Sequence, residues 1–110
     1  MLKIDEEDNI YLTRGDTAII DIALFDEDGE PYAMTSSDRL VFTLRKLYDK
    51  GAILIEKEVD EPSFSFTSAD TKDLDFGEYV YDIYLKNTGK IDTFIAEKTF
   101  TIGEEAHDFE

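Results

Sequence analysis

The sequence predicts an all-β domain, an antiparallel two-sheet sandwich of seven to eight strands. Three observations predict it. Apolar side chains recur with a period of two along most of the chain, and β-branched and aromatic types dominate those stretches. Turn-forming clusters interrupt them at roughly ten-residue intervals, which leaves no room for crossover helices between parallel strands. The 110 residues are 42% hydrophobic and 13% aromatic, enough apolar material for one modest core without disulfides, since the chain has no Cys.

Taken in order, residues 9–13 read as a short first strand. Residues 17–25 follow, with Ala18, Ile20, Ile22 and Leu24 on one face and Ile19, Asp21, Ala23 and Phe25 on the other. The run Asp26-Glu27-Asp28-Gly29-Glu30-Pro31 is turn chemistry: Gly29 accepts positive φ and Pro31 lacks a ladder donor. A short edge strand is expected over 32–35. Residues 39–48 alternate Leu40, Phe42 and Leu44 against Val41, Thr43 and Arg45, and Asp49-Lys50-Gly51 reads as a tight hairpin into a strand over 52–59. After Pro62, residues 63–67 place Phe64 and Phe66 on one face. Residues 68–76 are polar around Leu74 and suit one helical turn or a corner. The cleanest strand is 78–86, with Tyr79, Tyr81, Ile83 and Leu85 inward and Val80, Asp82, Tyr84 and Lys86 outward. Asn87-Thr88-Gly89-Lys90 is a hairpin turn, and 91–102 completes the set with Phe94, Ala96, Phe100 and Ile102 on one side. An immunoglobulin-like Greek-key sandwich is the most economical arrangement of these strands, with a small Greek-key barrel second. The division expected is an acidic N-terminal arm over 1–8, a β-sandwich domain over 9–102 and an acidic flexible tail over 103–110.

The net charge is −16, from 27 acids against 11 bases. Twelve of the acids lie in three places: Asp5, Glu6, Glu7 and Asp8; Asp26, Glu27, Asp28 and Glu30; Glu104, Glu105, Asp108 and Glu110. The rest of the chain is much closer to neutral. With no basic cluster longer than Arg45-Lys46, the chain lacks the cationic footprint that nucleic acid or an anionic membrane demands, so neither is an expected partner. The N-terminus turns acidic before an apolar stretch forms, so no signal peptide is expected and the protein is expected to begin in a cytoplasm.

The catalytic inventory is short, and no enzyme activity and no cofactor are expected. The single His, His107, lies in the acidic tail, far from any Ser placed as a nucleophile. Acid pairs are too abundant in this chain to single out a glycosidase-type couple. The acidic turn is a weak Ca²⁺ candidate through Asp26, Asp28 and Glu30, but it fails the EF-hand pattern, because counting back from Gly29 puts Leu24 at the first ligand position. No metal is therefore assigned. Arg14-Gly15-Asp16 spells an adhesion tripeptide yet stands where a bend between the first two strands is needed.

The most specific local feature is Asp75-Phe76-Gly77-Glu78-Tyr79-Val80-Tyr81. Asp75, Gly77 and Tyr79 fit the tyrosine corner of immunoglobulin-type sandwiches, in which a Tyr hydroxyl bonds back to upstream backbone; Tyr81 stands where the disulfide cysteine of antibody domains would be. Together with Leu12-Thr13-Arg14-Gly15-Asp16-Thr17, Asp28-Gly29-Glu30-Pro31-Tyr32, residues 38–44, Asp70-Thr71 and Gly77-Glu78-Tyr79-Val80-Tyr81-Asp82-Ile83, it resembles small immunoglobulin-like structural proteins of phages and prophages of Gram-positive bacteria. The N-terminal domain of the upper baseplate protein family is among them, and the likeness spans residues 9–102. The resemblance implies a non-catalytic structural or docking module of a tail, baseplate or virion surface. Its partners would be other phage structural proteins, with a homo-oligomer as one arrangement. Phe25, Tyr32, Tyr84 and Phe94 are the aromatics expected to face a partner, the alternative being that the second sheet covers them. Two other readings are a carbohydrate- or host-surface-binding module and an acidic protein that sequesters a basic partner.

Overall fold

A computed structural model describes residues 1–49 and 51–104. Among the described residues, eight strands and one helical turn run in the order β1 (Leu2–Ile4), β2 (Ile10–Thr13), β3 (Ala18–Asp21), β4 (Asp38–Lys46), β5 (Ile53–Val59), β6 (Ser63–Phe66), α1 (Ser68–Thr71), β7 (Gly77–Asn87) and β8 (Lys90–Gly103). They form a six-stranded sheet in the order β1-β2-β8-β7-β4-β5 and a two-stranded sheet, β3-β6. The all-β class and the sandwich-like packing of two sheets are thus present.

The expectation of purely antiparallel pairing is corrected. β2 runs parallel to β8, with Ile10 opposite Phe100 and Thr13 opposite Gly103, while every other pair is antiparallel. Side-chain alternation has the same period in both ladders, so it carries no direction; a parallel pair needs a long connection, and here nearly the whole chain supplies it.

The core lies between the sheets. Leu40, Phe42 and Leu44 of β4, Tyr79, Tyr81, Ile83 and Leu85 of β7, Phe100 and Ile102 of β8 and Ile10 and Leu12 of β2 meet Ile20, Phe64 and Phe66 of the smaller sheet. Phe42 is the hub: its ring centroid lies 5.2 Å from that of Phe66, 5.4 Å from Tyr81, 5.8 Å from Phe64 and 5.9 Å from Phe100. Burial of one such ring stabilises by roughly 1.5–3 kcal/mol, and tilted or edge-on ring pairs add ~0.5–1.5 kcal/mol each. These terms hold the two sheets together, because α1 is only four residues long and contributes one buried side chain, Thr71.

Several local expectations are revised. The acidic first eight residues carry β1, which pairs with β2 through a turn over residues 5–9. There the Asp5 carboxylate accepts the N–H groups of Glu7 and Asn9, both at 2.9 Å, and the Tyr81 hydroxyl donates to the Asp8 carbonyl. The strand expected over 17–25 stops at Asp21: at the next position the Ile22 N–H reaches the Pro62 carbonyl at 2.8 Å, and Pro62 has no N–H to return. The edge strand expected over 32–35 is absent: the Asp38 carboxylate takes the Thr35 N–H at 2.8 Å and the Asp38 N–H reaches the Thr35 carbonyl at 3.1 Å, which makes a turn.

β8 does not keep Phe94, Ala96, Phe100 and Ile102 on one side. The Asp82 carboxylate accepts the Glu97 N–H at 2.7 Å, Glu97 adopts φ +51°, and the register against β7 shifts on both sides of Ile83. These β-bulges leave Phe100 and Ile102 buried, Phe94 and Ile95 half-buried and Ala96 exposed. Arg14-Gly15-Asp16 forms the bend between β2 and β3: Gly15 has φ +83° and donates to the buried Thr71 hydroxyl at 2.8 Å, and the Arg14 guanidinium stacks 4.1 Å from the centroid of Phe76.

Candidate functional site

The residues that could meet a partner converge at one end of the sandwich, where the β7–β8 hairpin stands beside the acidic turn. The hairpin closes through Thr88-Gly89, with Gly89 at φ +80° and Asn87 paired with Lys90. The acidic turn is closed by its own first carboxylate. Asp26 Oδ1 accepts the N–H groups of Asp28 at 2.9 Å and Glu30 at 3.0 Å, the Asp26 N–H donates to the Glu30 carbonyl at 2.8 Å, and Gly29 sits at φ +79°. A bridge between Phe25 and Pro31 and a 2.8–2.9 Å pair of backbone bonds, Asp26 to Glu30 and Tyr32 to Leu24, fix where the turn leaves and rejoins the core.

Asp38 joins these pieces. It begins β4, has no exposed surface, and its carboxylate accepts the Tyr32 hydroxyl at 2.6 Å, the Thr35 N–H at 2.8 Å and Asn87 Nδ2 at 2.6 Å. The register explains the last contact, since Asp38 lies directly opposite Asn87. The Thr35 N–H, the Tyr32 hydroxyl and the Asn87 amide hold the carboxyl well below the ordinary 3.8, at about 2, against the opposing effect of burial. The Tyr32 phenol moves upward in return, first because its hydrogen bond serves an ionised Asp38, then through burial and the charges of Asp38 and Asp92.

Around this clamp lies a cleft of about 660 Å³ whose walls include Phe25, Tyr32 and Phe94. Three of the four aromatics singled out in the sequence are therefore brought together. Phe25 is 53% exposed, while Tyr32 and Phe94 are half-buried against the core. Tyr84 is not among them. It alternates away from the inward side chains of β7 and lies beside Val41 in the register, on the face of the large sheet turned away from β3 and β6.

At the opposite end of β7, Tyr79 is buried and its hydroxyl donates to the Asp75 carbonyl at 2.7 Å, with Gly77 at φ +133° where the strand begins. The two side-chain clamps are thus separated along β7 by the stretch from Tyr79 to Asn87, roughly 26 Å. Among the described residues no His, Asp or Glu side chains gather as a metal-binding set, and Asp26 Oδ1 accepts two backbone N–H groups. Residues 105–110, with His107 and the last three acids, lie outside the described residues, as does Lys50.

No family model, curated protein or solved structure matches the chain. The site must be read from its own chemistry. Asp38, Asn87 and Asp92 escaped the sequence reading as site residues. One signal was available: Thr35-Ser36-Ser37-Asp38 is a polar turn that ends in an acid just where an apolar strand begins.

Proposed function

We propose that the chain is a non-catalytic docking module built on an immunoglobulin-type sandwich and that it works in a phage or prophage particle. The observation that carries the docking reading is the cleft. It gathers an exposed Phe25 with Phe94 and Tyr32 on a framework fixed by Asp38, and rigidly mounted aromatics beside polar groups are what recognition surfaces use.

Two features support the immunoglobulin type. β4, β7 and β8 are neighbours in one sheet while β3 and β6 pair in the other, so the chain crosses between sheets from β3 to β4 and again from β6 to β7, as strands B to C and E to F do in that fold. The Tyr79 hydroxyl also closes a corner on the carbonyl four residues upstream. The phage setting rests on the resemblance of the landmark residues.

The test is prophage induction in the source strain, purification of particles on a density gradient and probing of the fractions with an antibody to this chain. Stoichiometric amounts in the particle band are expected. Particles free of the protein in a culture that expresses it would overturn the assignment.

A further inference from the structure

We propose that the cleft receives an arginine or lysine side chain from a basic segment of a protein partner, an inference that rests on the docking reading. The charge balance of the walls carries it. Asp26, Glu27, Asp38 and Asp92 line the cleft against a single ammonium, Lys90. Asp38 is bonded by a phenol, a backbone N–H and an amide, all neutral, so its negative charge is stabilised but not cancelled. Such a charge in a partly desolvated wall attracts a counter-charge more strongly than the same charge in water.

The apolar part of the lining suits the same guest. Phe25, Tyr32 and Phe94 line the cleft, aromatic rings are partners for a cation, and the methylene stem of Arg or Lys packs on apolar side chains while its head meets carboxylates at the rim. Other occupants fit less well. A second copy would bring a chain of net charge −16 toward an already acidic cleft. A neutral glycan would use the aromatic faces but leave the carboxylates uncompensated and partly stripped of water.

The experiment is an NMR titration of the full-length, isotope-labelled chain with acetyl-Leu-Arg-Leu-amide, with its citrulline twin as the neutral isostere and maltotriose as the glycan arm. The expected result is saturable shifts of amides in 25–32 and 87–94 with the arginine peptide. Binding should be about tenfold weaker for the citrulline twin and in about 0.5 M sodium chloride, where the Debye length falls to a few ångströms. Glu27→Gln combined with Asp92→Asn, both at exposed positions, should weaken it several-fold while the remainder of the amide spectrum stays in place. Equal affinity for the citrulline twin, shifts centred elsewhere, saturation by maltotriose in place of the arginine peptide, or no saturation at all would each overturn the inference.

The docking reading fails separately. If the wild-type chain is found in particles and the double variant enters them equally well, the cleft assignment falls and docking stands. If the wild-type chain is absent from particles, the particle assignment falls whatever the peptide does.

Discussion

Replacement of Asp38 probes the clamp that shapes the cleft. In Asp38→Ala the Tyr32 hydroxyl, the Thr35 N–H and Asn87 Nδ2 all lose their acceptor. Hydrogen bonds to a charged group contribute about 1.5–3 kcal/mol each, and the sum is tempered because water entering the cleft can satisfy Tyr32 and Asn87. A loss of ~3–5 kcal/mol is expected. Asp38→Asn is the gentler variant: its amide oxygen can keep Thr35 and Tyr32 while Asn87 turns its own oxygen toward the new NH2, so ~1–2 kcal/mol is expected. The pH dependence follows from the same carboxylate. Its pKa is depressed on folding from 3.8 to about 2, so its contribution is present above about pH 4 and is lost as pH falls toward 2. At 1.36 kcal/mol per unit the full shift is worth roughly 2 kcal/mol, reduced to ~1–2 kcal/mol by water in the open cleft. The assay is urea unfolding of wild type and Asp38→Asn in pH steps, because the difference between them removes the other carboxylates. A difference that stays constant between about pH 4 and about pH 2, or an Asp38→Ala as stable as wild type, would refute the reasoning.

Two other substitutions test the scaffold. Tyr79→Phe removes only the hydroxyl that donates to the Asp75 carbonyl and should cost ~1 kcal/mol, or about 4–6 °C in Tm by calorimetry; an unchanged Tm would show that the bond does not brace the corner. At Gly103, the last residue of β8, an added Cβ would fall on the Oη and Cζ atoms of Tyr11. Gly103→Ala should therefore destabilise by ~1–3 kcal/mol as the ring is displaced, and a double-mutant cycle with Tyr11→Ala should recover most of that loss. Additive effects in the cycle would place the strain elsewhere.

The parts of the fold that could be read in the sequence are those in which alternation runs uninterrupted. β7 keeps Tyr79, Tyr81, Ile83 and Leu85 inward over eleven residues because its bulges lie opposite, in β8. The polar stretch after Phe66 becomes α1 through local chemistry, with the Thr67 N–H donating to Asp70 Oδ2 at 2.7 Å. What escaped has the opposite character. Leu2-Lys3-Ile4 is too short to show a period and becomes a strand only by pairing with residues 10–12. The bulge at Glu97 depends on Asp82, fifteen residues away, and the clamp on Asp38 is completed by Asn87 from the far hairpin, although Tyr32 and Thr35 are near it in sequence. Phe25, Tyr32 and Phe94 were individually legible as aromatics outside the core pattern. Their common cleft exists only once the hairpin lies against the acidic turn.

The acidity of the chain acquires two separable meanings. A set of aspartates closes local backbone turns: Asp5 caps Glu7 and Asn9, Asp26 caps Asp28 and Glu30, Asp38 caps Thr35 and Asp70 caps Thr67, while Asp82 holds the bulge of the neighbouring strand through Glu97. A short side-chain acceptor for backbone N–H groups is what β-rich chains need at turns, and Asn or Ser serves the same geometry, so this use of Asp does not require its charge. The charge matters where bonding leaves it uncancelled and water is partly displaced. Elsewhere counter-charges are close, as for Asp70, whose carboxylate meets the Lys57 ammonium at 3.0 Å, and Glu58, which meets Lys86 at 2.8 Å. Asp38 has neutral donors only, zero exposure, and Asp92 near enough to bias the same phenol. The negative potential of the molecule is thereby focused beside its gathered aromatics, which is why a cationic guest fits this end of the sandwich better than the acidic surface at large.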